Sequence, residues 1–206
     1  LAVGIACFLL MFLYVRDELT YDLMHEDADD IFRITSTVKF GGNVSTRGSA
    51  GHPDTEAYRD EIPEIEFMAR LDNDIAIIKK GDDYIEQRGV VYADAALFDI
   101  FDFKVVHGAV DKTFADLTNV IVSESMALKY FGEAEVVGQT LQMNVENKME
   151  RFNVVAVIKD HPNNSSFNFD IALPWAKRRA QVSNRLLNSW SSISLNAFVK
   201  LSDGAT

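Results

Sequence analysis

The start of the chain limits the fold more than any other feature. Residues 1–15 (LAVGIACFLLMFLYV) hold no charge and almost no polar group, and Arg16-Asp17-Glu18 ends the run abruptly. A complete membrane crossing takes about 20 apolar residues. The run therefore reads as a partial transmembrane helix over residues 1–15, cut partway. A signal-peptide core would need a small-x-small cleavage site where the charged triplet stands. A buried helix of a soluble protein is the other reading. Cys7, the only cysteine, lies inside the run as a small hydrophobe and has no partner for an internal disulfide.

The flank gives a side. Asp17, Glu18, Asp22, Glu26, Asp27, Asp29 and Asp30 follow, with no Lys or Arg between Arg16 and Arg33. Cytoplasmic flanks are rich in Lys and Arg, so the remainder is expected outside the cytoplasm. That remainder has material for a sizeable core, since 48% of the 206 residues are hydrophobic and 11% aromatic. With 31 acidic against 20 basic residues the net charge is −11, which opposes a phosphate backbone. The densest basic run, Lys177-Arg178-Arg179 with Arg185 beyond, reads as a solvated face.

Strand and helix signals are intermixed, which defines an α+β class. Residues 17–30 have loose helical spacing and are expected to extend the apolar helix as a stalk. Residues 31–38 read as a strand entering a turn at Gly41-Gly42-Asn43. Pro53 and Pro63 bracket a helix over about 52–61. Strands over 65–71, 75–80 and 84–92 follow, the last two joined through Gly81-Asp82-Asp83. Residues 93–101 form a short helical turn, and Gly108 ends the next strand. The segment 119–122 is a strand leading to a helix capped by Ser123 and stopped by Gly132. Residues 140–145 and 152–158 flank a turn at Glu146-Asn147-Lys148, and 167–173 and 195–201 give the last strands. Phe98, Phe101, Phe131 and Phe152 are expected in the core. The loops 41–51 and 181–194 are the expected interaction surfaces.

Tests for chemistry return little. Gly132 and Gly138-Gln139-Thr140 imitate a phosphate loop, but five residues intervene, Gln139 replaces the lysine, and Glu133 and Glu135 would repel phosphate. His25, His52, His107 and His161 lack metal-ligand spacing. In Arg47-Gly48-Ser49-Ala50-Gly51 the first glycine abuts the serine, so no nucleophile elbow is implied. Carboxylate pairs such as Asp72 and Asp74 are inevitable among so many acids. Asn43-Val-Ser45 and Asn163-Asn-Ser165 are formal glycosylation sequons of the kind chance supplies. No catalytic, cofactor-binding or metal residue is assigned.

A set of phrases in fixed order points further. After the apolar run come Tyr14-Val-Arg-Asp-Glu-Leu-Thr-Tyr-Asp22, His25-Glu26, Ile31-Phe-Arg-Ile34 and Pro63-Glu-Ile-Glu66. Then come Val91-Tyr-Ala-Asp94, Phe98-Asp-Ile-Phe-Asp-Phe103, Val122-Ser-Glu-Ser-Met-Ala127 and Tyr130-Phe-Gly132. Val137-Gly138, Phe152-Asn-Val-Val-Ala-Val-Ile-Lys-Asp160 and Pro162-Asn-Asn-Ser165 complete the set. The set resembles the MacB-like periplasmic core domain of FtsX-type ABC transporter permeases, most of all the large multi-span permeases of Bacteroidetes-type bacteria.

The resemblance implies a periplasmic domain over residues 16–206, in a bacterial inner-membrane protein. It also implies a membrane-proximal mixed α/β lobe over about 17–102 and a β-rich distal lobe over about 103–201. It implies a cytoplasmic ABC ATPase on a separate subunit, a second permease unit forming a dimer, and a periplasmic adaptor or cargo protein. The domain would itself be no enzyme and would convert ATP hydrolysis into periplasmic movement, exporting or extracting cargo. The alternative is an extracytoplasmic ligand-sensing domain of a membrane signalling protein, which should show a concave pocket with convergent polar groups.

Overall fold

The computed structural model describes all of the chain except residues 21, 23, 24, 26, 111, 146, 147, 163, 203 and 206, and only the backbone at 112 and 113. The apolar run folds as α1 (Ala2–Leu19), a helix with no buried residue. Its last turn carries Arg16, Asp17 and Glu18, and among the described residues no helix is long and apolar enough to cross a membrane.

The expected stalk does not continue through residues 17–30. Thr20 closes α1, its amide bonded to Arg16 and Asp17 carbonyls and its hydroxyl to the Asp17 carbonyl. Asp22 then adopts φ of 57°, a left-handed conformation that Asp tolerates better than most residues and that no helix can propagate. The stalk residues Tyr21, Leu23 and Met24 lie outside the described residues.

Beyond a 3₁₀ turn at Ala28–Asp30 come β1 (Ile31–Arg33), β2 (Ser36–Phe40), β3 (Asn43–Arg47) and β4 (Ala50–Gly51). The strand expected over 31–38 is thus broken at 34–35, and most of the loop expected over 41–51 is strand. Next, α2 (His52–Glu61) carries Pro53 in its first turn, where a missing N–H costs nothing. Then β5 (Ile65–Lys80) runs without a break through the two strands expected there. Its irregular register between Asp74 and Ala76 accounts for the interrupted sequence pattern. A turn at Gly81-Asp82 returns the chain as β6 (Asp83–Ala93).

The chain continues through α3 (Leu97–Ile100), β7 (Val105–Gly108) and β8 (Asn119–Ser123) into α4 (Glu124–Phe131). Ser123 Oγ accepts the Met126 amide at 3.3 Å, and Gly132 stops α4 at φ of 84°. After β9 (Thr140–Val145) and β10 (Lys148–Ile158), whose connecting residues 146 and 147 are not described, come β11 (Ile171–Pro174) and α5 (Trp175–Gln181). Last are α6 (Asn184–Leu187) and β12 (Ile193–Leu201). The strand expected over 167–173 is shortened to β11. Phe167 and Phe169 alternate as strand residues do, but they are buried in an aromatic cluster instead of a ladder.

Strand pairing explains the core. β5 pairs with β6, β6 with β11, β11 with β8, β8 with β10, β10 with β9, and β9 again with β5, so six strands close into a ring. Alternate residues point inside: Ala76 and Ile78, Val90 and Tyr92, Val120 and Val122, Leu141, Met143 and Val145, Phe152 and Val154, and Ile171 and Leu173 form one buried cluster. Their neighbours Leu71, Val91, Ala93, Ile121, Ile158 and Ala172 face outward, into a second cluster with Leu97, Phe101, Phe114, Phe167 and Phe169. A register shift between Val154 and Ala156 lets β10 serve both clusters.

Residues 17–102 and 103–201 share this sheet, because β12 pairs with β1, β4 and β5. Of the aromatics expected in the core, Phe101 and Phe152 are buried, and Phe98 and Phe131 pack against it partly buried. The hairpin β2–β3 stands apart as a separate two-stranded sheet.

Candidate functional site

The place where α1 meets the sheet is held by side chains from distant parts of the chain. The Asn164 amide donates to the Thr20 carbonyl at 2.8 Å, while the Asn164 carbonyl accepts the Asp22 amide at 3.0 Å. Asp22 Oδ1 accepts the Ser166 amide at 2.7 Å. The left-handed turn at Asp22 thus lets its carboxylate and its own amide grip the same loop. Further along, Lys200 of β12 donates to Asp27.

Between these polar contacts sits His25, 5% exposed. Its Nδ1 accepts the Asp102 amide at 3.1 Å, and its ring meets Phe101, Phe103 and Phe167 edge-on at 5.0, 6.0 and 6.4 Å. His161 approaches Phe103 and Phe169 at 5.2 and 4.5 Å. Both imidazoles leave Nε2 buried with no hydrogen bond among the described residues. Burial is the main cause holding both histidines below the ordinary histidine pKa, against smaller opposing effects from Asp102 and Asp22 on His25. On His161 a hydrogen bond to the Phe169 backbone and the charge of Asp160 oppose it, and His25 adds to it. An accepting Nδ1 requires the neutral imidazole, so contact and charge state agree.

Beside this joint lies a cavity of about 520 Å³, walled by Leu71, Val91, Phe101, Phe167 and Phe198, with Arg33, Asn73 and Asn196 among its polar lining. Arg33 donates to Asn196 Oδ1 at 2.7 Å.

A second group of charges braces α5 against the sheet. The basic run is not the solvated face expected: Lys177 pairs with Glu150, Arg178 with Asp72 at 2.7 Å and Asp74 at 3.7 Å, and Arg179 with Glu56 at 3.2 Å. Arg178 also lies over Tyr92 and Lys177 over Phe152, because the side chains of α5 reach back across β6 and β10. Arg70 grips Asp94 with two guanidinium bonds of 2.8 and 3.1 Å and stacks on Trp175 at 4.7 Å. These carboxylates serve as ion-pair partners.

The structure brings His25 and His161 together on Phe103. His52 lies elsewhere, against Trp175, and His107 is on β7. Among the described residues no group of three or more His, Cys, Asp or Glu could hold a metal ion. Gly132 and Gly138 take left-handed turns, and Gln139 bonds Glu133 at 2.7 Å where a phosphate would need a cation. Gly48 leaves room for the Arg33 guanidinium, 2.8 Å from where a Cβ would stand. Asn43 is at the exposed hairpin turn, and Asn163 lies outside the described residues. Sequence reasoning missed Thr20, Asp22, Asn164 and Ser166 as a clasp; the only signal was that two of the quoted phrases contain Thr20, Asp22 and Asn164, with Ser166 just beyond the second.

The geometry is thus an α+β ring carrying a wholly exposed apolar helix at one end, joined to it by a polar clasp and braced by ion pairs. The chain belongs to the family of the MacB-like periplasmic core domain, whose family model matches residues 1–206. Such a domain is the periplasmic part of an ABC-type transporter permease and is not itself catalytic.

Solved structures share the fold. A domain of a protein described as a permease, from Porphyromonas gingivalis, is 23% identical with a TM-score of 0.69, covering 88% of this chain and 77% of that one. The periplasmic region of MacB from Actinobacillus actinomycetemcomitans is 18% identical with a TM-score of 0.57, covering 76% and 67%. The extracellular domain of the noncanonic ABC-type transporter YknZ from Gram-positive bacteria is 15% identical with a TM-score of 0.54, covering 84% and 83%. No curated protein matches the chain.

Proposed function

We propose that this domain converts ATP hydrolysis on a separate cytoplasmic subunit into movement outside the membrane, so that the permease exports or extracts cargo. In this reading residues 1–15 are the outer part of a transmembrane helix, the domain lies in the periplasm of an inner-membrane permease, and two permease units work together. An adaptor or cargo protein meets the moving domain. The observation that carries the reading is the clasp of Thr20 and Asp22 with Asn164 and Ser166. It ties the end of a fully exposed apolar helix to a loop between two strands of the closed ring, so that displacement of the helix reaches the sheet.

The sensing alternative draws on the cavity of about 520 Å³ beside the clasp, where amides and Arg33 meet an apolar wall. One experiment separates the two. The complete protein is isolated from native membranes in mild detergent and its companions are identified by mass spectrometry. A stoichiometric ABC ATPase is expected. A kinase domain on the same chain, with no ATPase recovered, would overturn the transport reading in favour of the sensor.

A further inference from the structure

The hairpin β2–β3 is chemically unlike the rest of the molecule. From Ile31 to Pro53 the sequence contains Arg33, Lys39 and Arg47 and no acidic residue, so all 31 acids lie elsewhere. Its strands pair only with each other among the described residues, leaving both outer edges open. Every residue from Thr37 to Arg47 is exposed, and Phe40 and Val44 at the tip are 85% and 62% exposed. Neither Lys39 nor Arg47 has an ion-pair partner among the described residues. A lone two-stranded ribbon is marginally stable in water. Charge on an edge strand can guard it against pairing, but a guard has no use for a bare phenylalanine at the tip.

The same chain carries a surface of opposite character. At the end of α2, Tyr58 and Ile62 are exposed beside Glu61 and Glu64, and neither glutamate has an ion-pair partner among the described residues. One surface is cationic with an aromatic tip, the other anionic with an aromatic and an aliphatic side chain. Two such surfaces on one chain satisfy each other twice when two copies meet about a two-fold axis.

We propose that the hairpin of one copy docks on the end of α2 of a second copy, placing Lys39 and Arg47 against Glu61 and Glu64 and Phe40 against Tyr58 and Ile62. The inference rests on the permease-dimer reading above and gives it a contact surface.

The test uses the complete permease in native membranes with Cys7→Ser as background. A copy with Phe40→Cys and one tag is co-expressed with a copy bearing Ile62→Cys and another tag, then oxidised. A disulfide-linked dimer carrying both tags is expected. Lys39→Glu with Arg47→Glu should cut its yield about tenfold, and adding Glu61→Lys with Glu64→Lys should restore it, because like charges at a contact repel and a swap pairs them again. Val44→Cys serves in place of Phe40→Cys if the tip variant fails to express.

Absence of the link, in a permease that a lysine cross-linker still captures as a dimer, overturns the hairpin contact and leaves the dimer intact. A permease that stays monomeric under both reagents overturns the dimer and the contact together. A hairpin cysteine that links only to a different protein assigns the hairpin to that partner and also overturns the proposal.

Discussion

Removing the Asp94 carboxylate tests whether the charges around α5 hold the fold as the geometry implies. Asp94 accepts three hydrogen bonds from Arg70: its amide at 3.0 Å, Nε at 2.8 Å and Nη2 at 3.1 Å. The Arg70 side chain is only 10% exposed and has Trp175 against its face, so water has little access if the partner is lost. Glu56 also forms an ion pair with Arg70, at 3.8 Å and beyond hydrogen-bond distance, so it offsets only part of the loss.

Truncating one member of a buried pair costs about 3–5 kcal/mol, mostly for the charge left unpaired. Asp94 is 23% exposed and Arg70 keeps its ion pair with Glu56, which together bring the expected loss for Asp94→Ala down to about 2 kcal/mol. Asp94→Asn retains an acceptor for the Arg70 amide and should lose roughly half as much. Replacing both partners, Arg70→Met with Asp94→Ala, removes the stranded charge and should recover most of the loss. Urea unfolding in mild detergent, followed by Trp175 fluorescence in a Trp190→Phe background, measures all four proteins. A loss below about 1 kcal/mol for Asp94→Ala, or a double variant no more stable than Asp94→Ala, would refute the reasoning.

Asn164→Ala removes the side-chain bonds to Thr20 but keeps the backbone bond to Asp22, so hydrogen exchange should rise at the Asp22 amide and the residues around it, with global stability down by no more than about 1 kcal/mol. Equal exchange in both proteins would remove Asn164 from the clasp. His25 and His161 have folded pKa values below the unfolded one, so their contribution is present above the ordinary histidine value of about 6.5 and is lost as pH falls through it toward the folded value. Protection factors in residues 160–169, taken relative to the intrinsic exchange rate at each pH, should therefore fall between about pH 7.5 and 5.5, and less so in His25→Asn with His161→Phe; pH-independent protection in the wild type contradicts this. Gly108 has φ of 77° and a Cβ there would stand 2.1 Å from the Val155 carbonyl oxygen, whereas Gly81 at φ of 62° faces open space. Gly108→Ala should cost at least about 3 kcal/mol and Gly81→Ala about 1 kcal/mol in the same unfolding assay, and comparable losses would count against the close approach of β7 to β10.

Local chemistry was legible in the sequence wherever one or two residues decide the outcome. Pro53 and Pro63 bracket α2, Gly81 and Asp82 turn β5 into β6, and Ser123 and Gly132 mark the two ends of α4. Pairing was not legible, because a period of two says which face a residue lies on and leaves its neighbour unnamed. The pairing of Ile77 with Asn144 that closes the ring has no local signal. The basic run failed for the same reason: Arg178 finds Asp72 across 106 positions, and nothing beside it in the chain announces the partner. The clasp was hidden by its ordinary residue types. Thr20, Asn164 and Ser166 become a joint only through the turn at Asp22, a backbone conformation that Asp adopts without advertising it.

The ring of strands has a mechanical consequence. The loop gripped by Thr20 and Asp22 connects β10 and β11, which flank β8 on its two sides. A pull on α1 is therefore fed into two strands that share a neighbour, in a circuit with no free border from which hydrogen bonds could open one after another. Rows of bonds would have to slide together, which resists load better than peeling, so under the proposed reading a displacement of α1 would move the ring as one piece before deforming it. The parts left free to yield are then the joint below the ring and the ribbon of β2 and β3, which pairs with no other strand among the described residues.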